Sequence, residues 1–283
     1  MTTVRQILKD YGIKPLKRFG QSFLEDKNVI HKILKISEIT GENTVVEIGA
    51  GVGIMTELIA KRARKVIALE IDPRMIQILN ERLASYHNVD VVQTDVLKYD
   101  FSLATSGLTT QKLTIIGNIP YNISSQILFR LLGYRNHISS MILMFQKELA
   151  ERFIAFPGTK EYGIPTVLLS MYAECSREML IPRNCFYPEP KIMSTVLRLV
   201  IREIPQVDLQ NHEFFVKIVK MAFSKRRKTL LNNLRSLHIL GFSEKEVANA
   251  LWNAGIDGTR RGETLTAVEL GRLCNTLYTR EMP

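Results

Sequence analysis

Four short groups of residues in this chain are of types, and at spacings, that can do chemistry together. The run Gly49-Ala50-Gly51-Val52-Gly53 follows the β-branched stretch Thr44 to Ile48 and precedes a helical pattern that opens at Ile54. Glycines there let the backbone turn sharply and allow a ligand close to a helix N-terminus. Glu70 closes the next apolar stretch 17 residues after Gly53, and Asp95 closes the one after that. A carboxylate at the first of these places can accept hydrogen bonds from both ribose hydroxyls, and one at the second can accept from an adenine amino group. Together they describe a nucleoside site.

The spacing narrows which nucleoside. Nicotinamide and flavin proteins favour G-x-G-x-x-G, whereas the glycines here alternate as G-x-G-x-G after the acidic Glu47, which favours a methyl donor over a hydride carrier. The fourth group, Asn118-Ile119-Pro120-Tyr121, ends another apolar stretch. An adenine N6 amine is a poor nucleophile because its lone pair is delocalised into the ring. The Asn118 side-chain oxygen and the carbonyl of Ile119 or Pro120 can accept its two protons, aligning the nitrogen without a strong base. Tyr121 offers a face for stacking an unstacked base, a contact worth ~1–3 kcal/mol. A turn with a core tyrosine accounts for any one of these residues, but less well for all four at one strand end.

Those residues need a sheet to hold them. The stretches Thr44 to Ile48, Lys65 to Glu70, Val89 to Gln93, Leu113 to Gly117 and Ser140 to Phe145 alternate with helical patterns, the mark of βαβ units and a parallel sheet. Ser176 to Ile181 and Thr195 to Ile201 complete seven strands, after a helix-prone segment near Pro165 to Ala173. The expectation is an α/β Rossmann-like domain with a seven-stranded, mostly parallel sheet. Ile204-Pro205-Gln206 breaks the pattern, and the rest is helical, with Phe214, Phe215, Ile218, Val219 and Ala222 on one face. This divides the chain into residues 1–205, whose first 40 form a basic arm and helix, and a small all-α domain, residues 206–283. Ser243 with Glu246, and Thr266 with Glu269, read as capping boxes within it.

Composition bounds the partners. A hydrophobic fraction of 46% with 23% charged residues excludes a disordered or fibrous chain. No apolar run reaches bilayer length and no secretory h-region stands at Met1 to Asp10, so a cytoplasmic location is expected. Cys175, Cys185 and Cys274 are too scattered for a disulfide framework or zinc site, and the five histidines lack ligand spacing, so no metal is expected. The net charge of +10 concentrates at the ends: residues 1–40 hold eight Lys/Arg against four Asp/Glu, and residues 206–283 hold twelve against eight. Such ends attract a polyanion, although solubility alone also accounts for them. Lys225-Arg226-Arg227-Lys228 is the densest cluster, read as phosphate contacts at the start of a helix.

With these residues in view, the chain resembles the ribosomal RNA adenine dimethyltransferase family. The resemblance runs through Arg18 to Leu24, Glu47 to Gly53, Glu70-Ile71-Asp72, Asp95, Asn118 to Tyr121 with Asn122-Ile123-Ser124, Phe186 to Lys191, and Phe223 to Asn233. It implies S-adenosylmethionine as cofactor, held by Ser22, Leu24, Gly49, Gly51, Glu70, Asp95 and Asn118. It implies an acceptor site of Asn118, Pro120, Tyr121 and Phe186, with Phe186 stacking on the adenine face opposite Tyr121. The family usually has Asn where this chain has Ser22, whose reach is shorter. The implied substrate is a pair of adjacent adenines in a 3'-terminal hairpin of 16S RNA, within an immature small ribosomal subunit. The rival readings are a resistance-type enzyme acting on large-subunit RNA, a non-catalytic RNA-binding assembly factor and, more distantly, a nicotinamide oxidoreductase.

Overall fold

The computed structural model describes residues 3–105 and 111–279. Among them are nine strands: β1 (Phe23–Leu24), β2 (Thr44–Ile48), β3 (Lys65–Glu70), β4 (Val89–Gln93), β5 (Leu113–Asn118), β6 (Ile138–Gln146), β7 (Ala173–Ile181), β8 (Phe186–Tyr187) and β9 (Ser194–Ile201). Seven of them form one sheet in the order β4-β3-β2-β5-β6-β9-β7. The pairs from β4 through to β6 are parallel, and β9 runs antiparallel to β6. All five residues of β2 and the last five of β3 are buried, as strands covered by helices on both faces must be. The seven expected strands are all present, and the fold is the Rossmann-like one expected.

From β2 the chain winds outward through β3 and β4. From β5 it winds the other way, through β6. The order therefore reverses between β2 and β5, and open α/β sheets bind ligands at the carboxyl ends of the strands flanking such a reversal. A separate ladder pairs β1 antiparallel with β8, Phe23 opposite Tyr187 and Leu24 opposite Phe186. Two residues are too few to show a period, so this ladder leaves no trace in the sequence pattern.

The chain divides into two compact units, Met1–Ala150 with Ser176–Ile201, and Glu151–Cys175 with Arg202–Pro283. This differs from the expected division at residue 205, because residues 151–175 belong with the helices. Within that second unit the Tyr162 hydroxyl donates to the Leu265 carbonyl at 2.8 Å, and the Gly158 N–H donates to the Glu263 carbonyl at 2.8 Å. Helix Ile164–Tyr172 buries Val167, Leu169 and Met171. Such an apolar face needs helical neighbours, and helices His212–Ala222 and Ala267–Tyr278 supply them. Both capping boxes form as expected, Ser243 with Glu246 and Thr266 with Glu269. Among the described residues no helix is long and apolar enough to cross a membrane, and no group of His, Cys, Asp and Glu could hold a metal.

Candidate active site

At the reversal point a cavity opens over the ends of β2, β3, β4 and β5. Gly49, Gly51, Glu70, Asp95, Asn118, Pro120 and Tyr121 line it, with Ser22 and Phe23 of the N-terminal arm. The glycine turn has a steric reason to be glycine. Gly51 sits at φ 58°, and a Cβ there would lie 2.7 Å from the Phe23 ring, so a side chain at this position would push the arm off the turn.

Glu70 is held from below. Its Oε1 accepts the N–H groups of Ile71 and Asp72 at 2.8 and 2.9 Å, and its Oε2 accepts that of Gly51 at 2.9 Å. Burial raises its pKa, and the three backbone bonds work against that rise. A carboxylate has about four acceptor sites, so the remaining one is on Oε2, beside the glycine turn. Asp95 is oriented in the same way, Oδ1 accepting the Leu97 N–H at 2.9 Å, with Oδ2 left for a ligand.

The tetrapeptide is more tightly tied. The Asn118 amide Nδ2 donates to the Ser22 carbonyl at 2.6 Å, which settles the orientation of the amide and leaves Oδ1 as its acceptor. The Pro120 carbonyl accepts both the Ser124 hydroxyl at 2.9 Å and the Ile123 N–H at 3.2 Å. Of the two backbone acceptors expected, Ile119 is therefore the open one. Tyr121 pairs its hydroxyl with that of Ser194 at 2.6 Å, and Ser194 is fully buried on β9. Burial raises the Tyr121 pKa, so the phenol stays protonated and the ring is held at the cavity wall.

The arm is latched over this site by Gln21, which the sequence pattern did not single out, and by Ser22. Gln21 accepts from the Leu16 N–H at 2.7 Å and donates to Asp72 at 2.8 Å. Ser22 donates its hydroxyl to the Pro188 carbonyl at 2.8 Å. The Ser22 hydroxyl is thus occupied within the protein, and what this residue offers the Asn118 side is its carbonyl. Asp72 and Pro188 lie 51 and 166 residues away from their partners, beyond any local pattern.

Two expected site residues are placed elsewhere. Leu24 and Phe186 face each other across the β1–β8 ladder, at 8% and 3% exposure, inside a core with Ile30, Ile33 and Ile181, and neither lines the cavity. Strand alternation is the reason: Phe23 takes the cavity side of β1, and Leu24 turns inward. Phe186 is thus core rather than a base-stacking face.

Lys225 to Lys228 lies in the loop between helices His212–Ala222 and Leu230–Leu234, directly before the Thr229 N-cap of the second. Arg226 is a strut. It pairs with Glu263 at 2.8 Å and donates to the carbonyls of Thr159 and Lys160 at 3.4 and 2.7 Å. Asn233, buried at 4% exposure, donates to the carbonyls of Ala222 and Lys225 and pins the loop from within. Gly262 lets the 261–263 segment close on it, since a Cβ there would stand 2.3 Å from the Ala222 carbonyl oxygen. Lys225, Arg227 and Lys228 are exposed, and among the described residues no carboxylate pairs with them.

Residues 13–271 match the model of the family described as ribosomal RNA adenine dimethylase. A ribosomal RNA small subunit methyltransferase A of Syntrophus aciditrophicus is 48% identical, over 98% of this chain and 99% of the relative. The protein of that name from Anoxybacillus flavithermus is 41% identical over 98% of this chain and 95% of its own. Among solved structures, a dimethyladenosine transferase from Plasmodium falciparum superposes with a TM-score of 0.79 at 27% identity, covering 89% of this chain and 95% of that one. The 23S rRNA methyltransferase ErmE superposes with a TM-score of 0.69 at 27% identity, covering 90% of this chain and 99% of its own.

Proposed function

The chain belongs to the ribosomal RNA adenine dimethylase family, and on that premise we propose that it is an S-adenosylmethionine-dependent enzyme that dimethylates the N6 amines of two adjacent adenines in small-subunit ribosomal RNA. The observation that carries this reading is Asn118: its Nδ2 is occupied by the Ser22 carbonyl, so a lone acceptor oxygen stands at a cavity wall beside Tyr121. The cavity suits an adenosine-bearing cofactor, with an acceptor left on Glu70 for the ribose and another on Asp95 for the base. When bound, the cofactor supplies an electrophilic methyl group.

The rest of the work is done by this chain's residues. In the first transfer Asn118 Oδ1 and the Ile119 carbonyl accept hydrogen bonds from the two N6 protons, hold the amine pyramidal and aim its lone pair. The methylated nitrogen then releases one proton to solvent, and one of the two acceptors holds the single proton left for the second transfer. Acceptors fixed before the reaction cost no reorganisation when charge develops on nitrogen. The Tyr121 ring, tethered by Ser194, supports the extruded base and keeps water from the reacting nitrogen. Lys225, Arg227 and Lys228 contribute phosphate contacts, while Arg226 shapes the loop that carries them. The substrate in this reading is a small subunit still being assembled.

Mass mapping of methylated adenines tests it, after incubation of the protein and labelled cofactor with separate small and large subunits lacking the modification. Two methyl groups on each of two adjacent small-subunit adenines is the expected result. Modification of the large subunit alone would favour the activity in the name of the ErmE relative, and no modification of either would leave an RNA-binding factor.

A further inference from the structure

The helical unit has a concavity of its own. An open groove runs between Thr229, Leu231, Leu251, Trp252, Ile256 and Asp257. Its walls are set by backbone bonds: the Leu230 N–H donates to the Arg260 carbonyl at 2.7 Å, and the Leu231 N–H to the Gly258 carbonyl at 3.1 Å. Helix Glu244–Asn253 turns Leu251 into the core and leaves Trp252 84% exposed at the rim. Trp252 is the chain's single tryptophan and its most exposed large apolar side chain among the described residues.

Two polar features of opposite sign accompany the indole. Asp257 accepts the Thr259 N–H and hydroxyl at 2.8 Å each, and these bonds hold its carboxyl below the usual range, so it is an anionic acceptor near neutrality. Thr229, which also lines the groove, directly follows Lys228 in the chain, and Lys225, Arg227 and Lys228 belong to the same exposed loop, with no carboxylate paired to them among the described residues. An apolar peptide laid here would face a carboxylate and leave three cations unmatched. A nucleotide would match all three features, with its base on the indole, an exocyclic amine to Asp257 and a phosphate toward the cations.

We propose that this groove is a second nucleotide subsite, separate from the methyl-accepting cavity, which takes an unpaired amino-bearing base of the RNA (cytosine, adenine or guanine, in preference to uracil). The inference rests on the reading that the substrate is RNA. Because there is one tryptophan, its fluorescence reports on the groove directly. The full-length protein is titrated with short end-labelled single-stranded oligocytidylate and oligouridylate of equal length, and with a duplex, following indole emission and label anisotropy together. Quenching is expected to saturate with oligocytidylate, to be weaker with oligouridylate and to be absent with the duplex. Trp252→Ala is expected to weaken oligocytidylate binding about 5- to 100-fold. Trp252→Phe is expected to retain most of the affinity, and Asp257→Ala to erase the preference for cytosine. Binding by anisotropy with no change in emission, or equal affinity in Trp252→Ala, would overturn the subsite. Emission that changes with protein concentration alone, together with self-association lost in Trp252→Ala, would overturn it in favour of a second copy of the chain. Subunit methylation run alongside separates the two failures: intact methylation with a silent tryptophan sinks only the subsite, whereas no methylation and no RNA binding sinks the reading beneath it.

Discussion

Two runs of four residues, Asn118 to Tyr121 in the sheet unit and Lys225 to Lys228 in the helical unit, reach opposite solutions to the placing of polar groups. In the first, nearly every polar atom is engaged by the protein itself, through Ser22, Ser124, Ile123 and Ser194. What remains is a fixed acceptor or two. In the second, one side chain of four is engaged, Arg226 with Glu263, and the other three charges stay in water. Reaction geometry needs groups that cannot move, so internal bonds surround the acceptor. Phosphate binding needs charge that can adapt to a backbone and release counterions, so a single internal anchor suffices.

The largest effect that would break this contrast is expected at Asn118. Asn118→Ala removes the fixed acceptor, and single-turnover methylation at saturating subunit is expected to fall about 10²- to 10³-fold, the cost typical of a lost preorganised donor or acceptor. Subunit affinity by filter binding is expected to stay unchanged. Undiminished turnover would remove the acceptor role.

Next comes the basic loop. Replacing Lys225, Arg227 and Lys228 together with Ala is expected to weaken subunit binding and to lower the log–log salt slope by up to ~0.7–0.9 per lost phosphate contact. Arg226→Ala is expected to act differently, loosening the 158–160 and 223–229 segments. Hydrogen exchange there would rise with a smaller change in slope. Equal slopes for the two variants would mean that Arg226 is no strut.

An effect on stability rather than turnover concerns a carboxyl group that the sheet unit buries. Glu47 is 1% exposed on β2, its Oε2 has no hydrogen-bond partner among the described residues, and burial pushes its pKa up to about 8. Its folded pKa lies above its unfolded value, so the native state binds the proton more tightly. The stabilisation is complete below pH ~4.5 and is lost as the pH rises through about 8. Urea unfolding is expected to show stability declining by up to ~1.4 kcal/mol per pH unit across that window, and Glu47→Gln to remove this component. A Gln variant with the same pH dependence would locate the titration elsewhere.

The smallest effect sharpens the account of Tyr121. Ser194→Ala removes the tether and is expected to cost ~0.5–1.5 kcal/mol, seen as a several-fold lower kcat with little change in KM for the subunit. Ser194→Thr, which keeps the hydroxyl, is expected to restore part of it. A loss confined to thermal stability would make Ser194 a packing residue only.

Much of this protein was legible before its structure. The strands Thr44–Ile48 and Lys65–Glu70 form where their β-branched runs predict, because a buried parallel strand is written in consecutive residues. The glycine turn, Glu70, Asp95 and Asn118 converge because each ends a strand of one sheet, and strand order places strand ends together. Both capping boxes are local bonds three residues apart and form for that reason. Tertiary structure alone decided the matters in which distant residues compete for one atom or one face. Leu24 and Phe186 turn inward because a two-residue ladder can show only one side to the cavity. Arg226 departs from its three basic neighbours because Glu263, 37 residues on, reaches it. Residues 151–175 join the helical unit because the apolar face of helix Ile164–Tyr172 finds its neighbours there. Periodicity and capping depend on neighbours within a few residues and can be read along the chain, whereas the sharing of hydrogen bonds and charges depends on which distant segments packing brings within 3 Å.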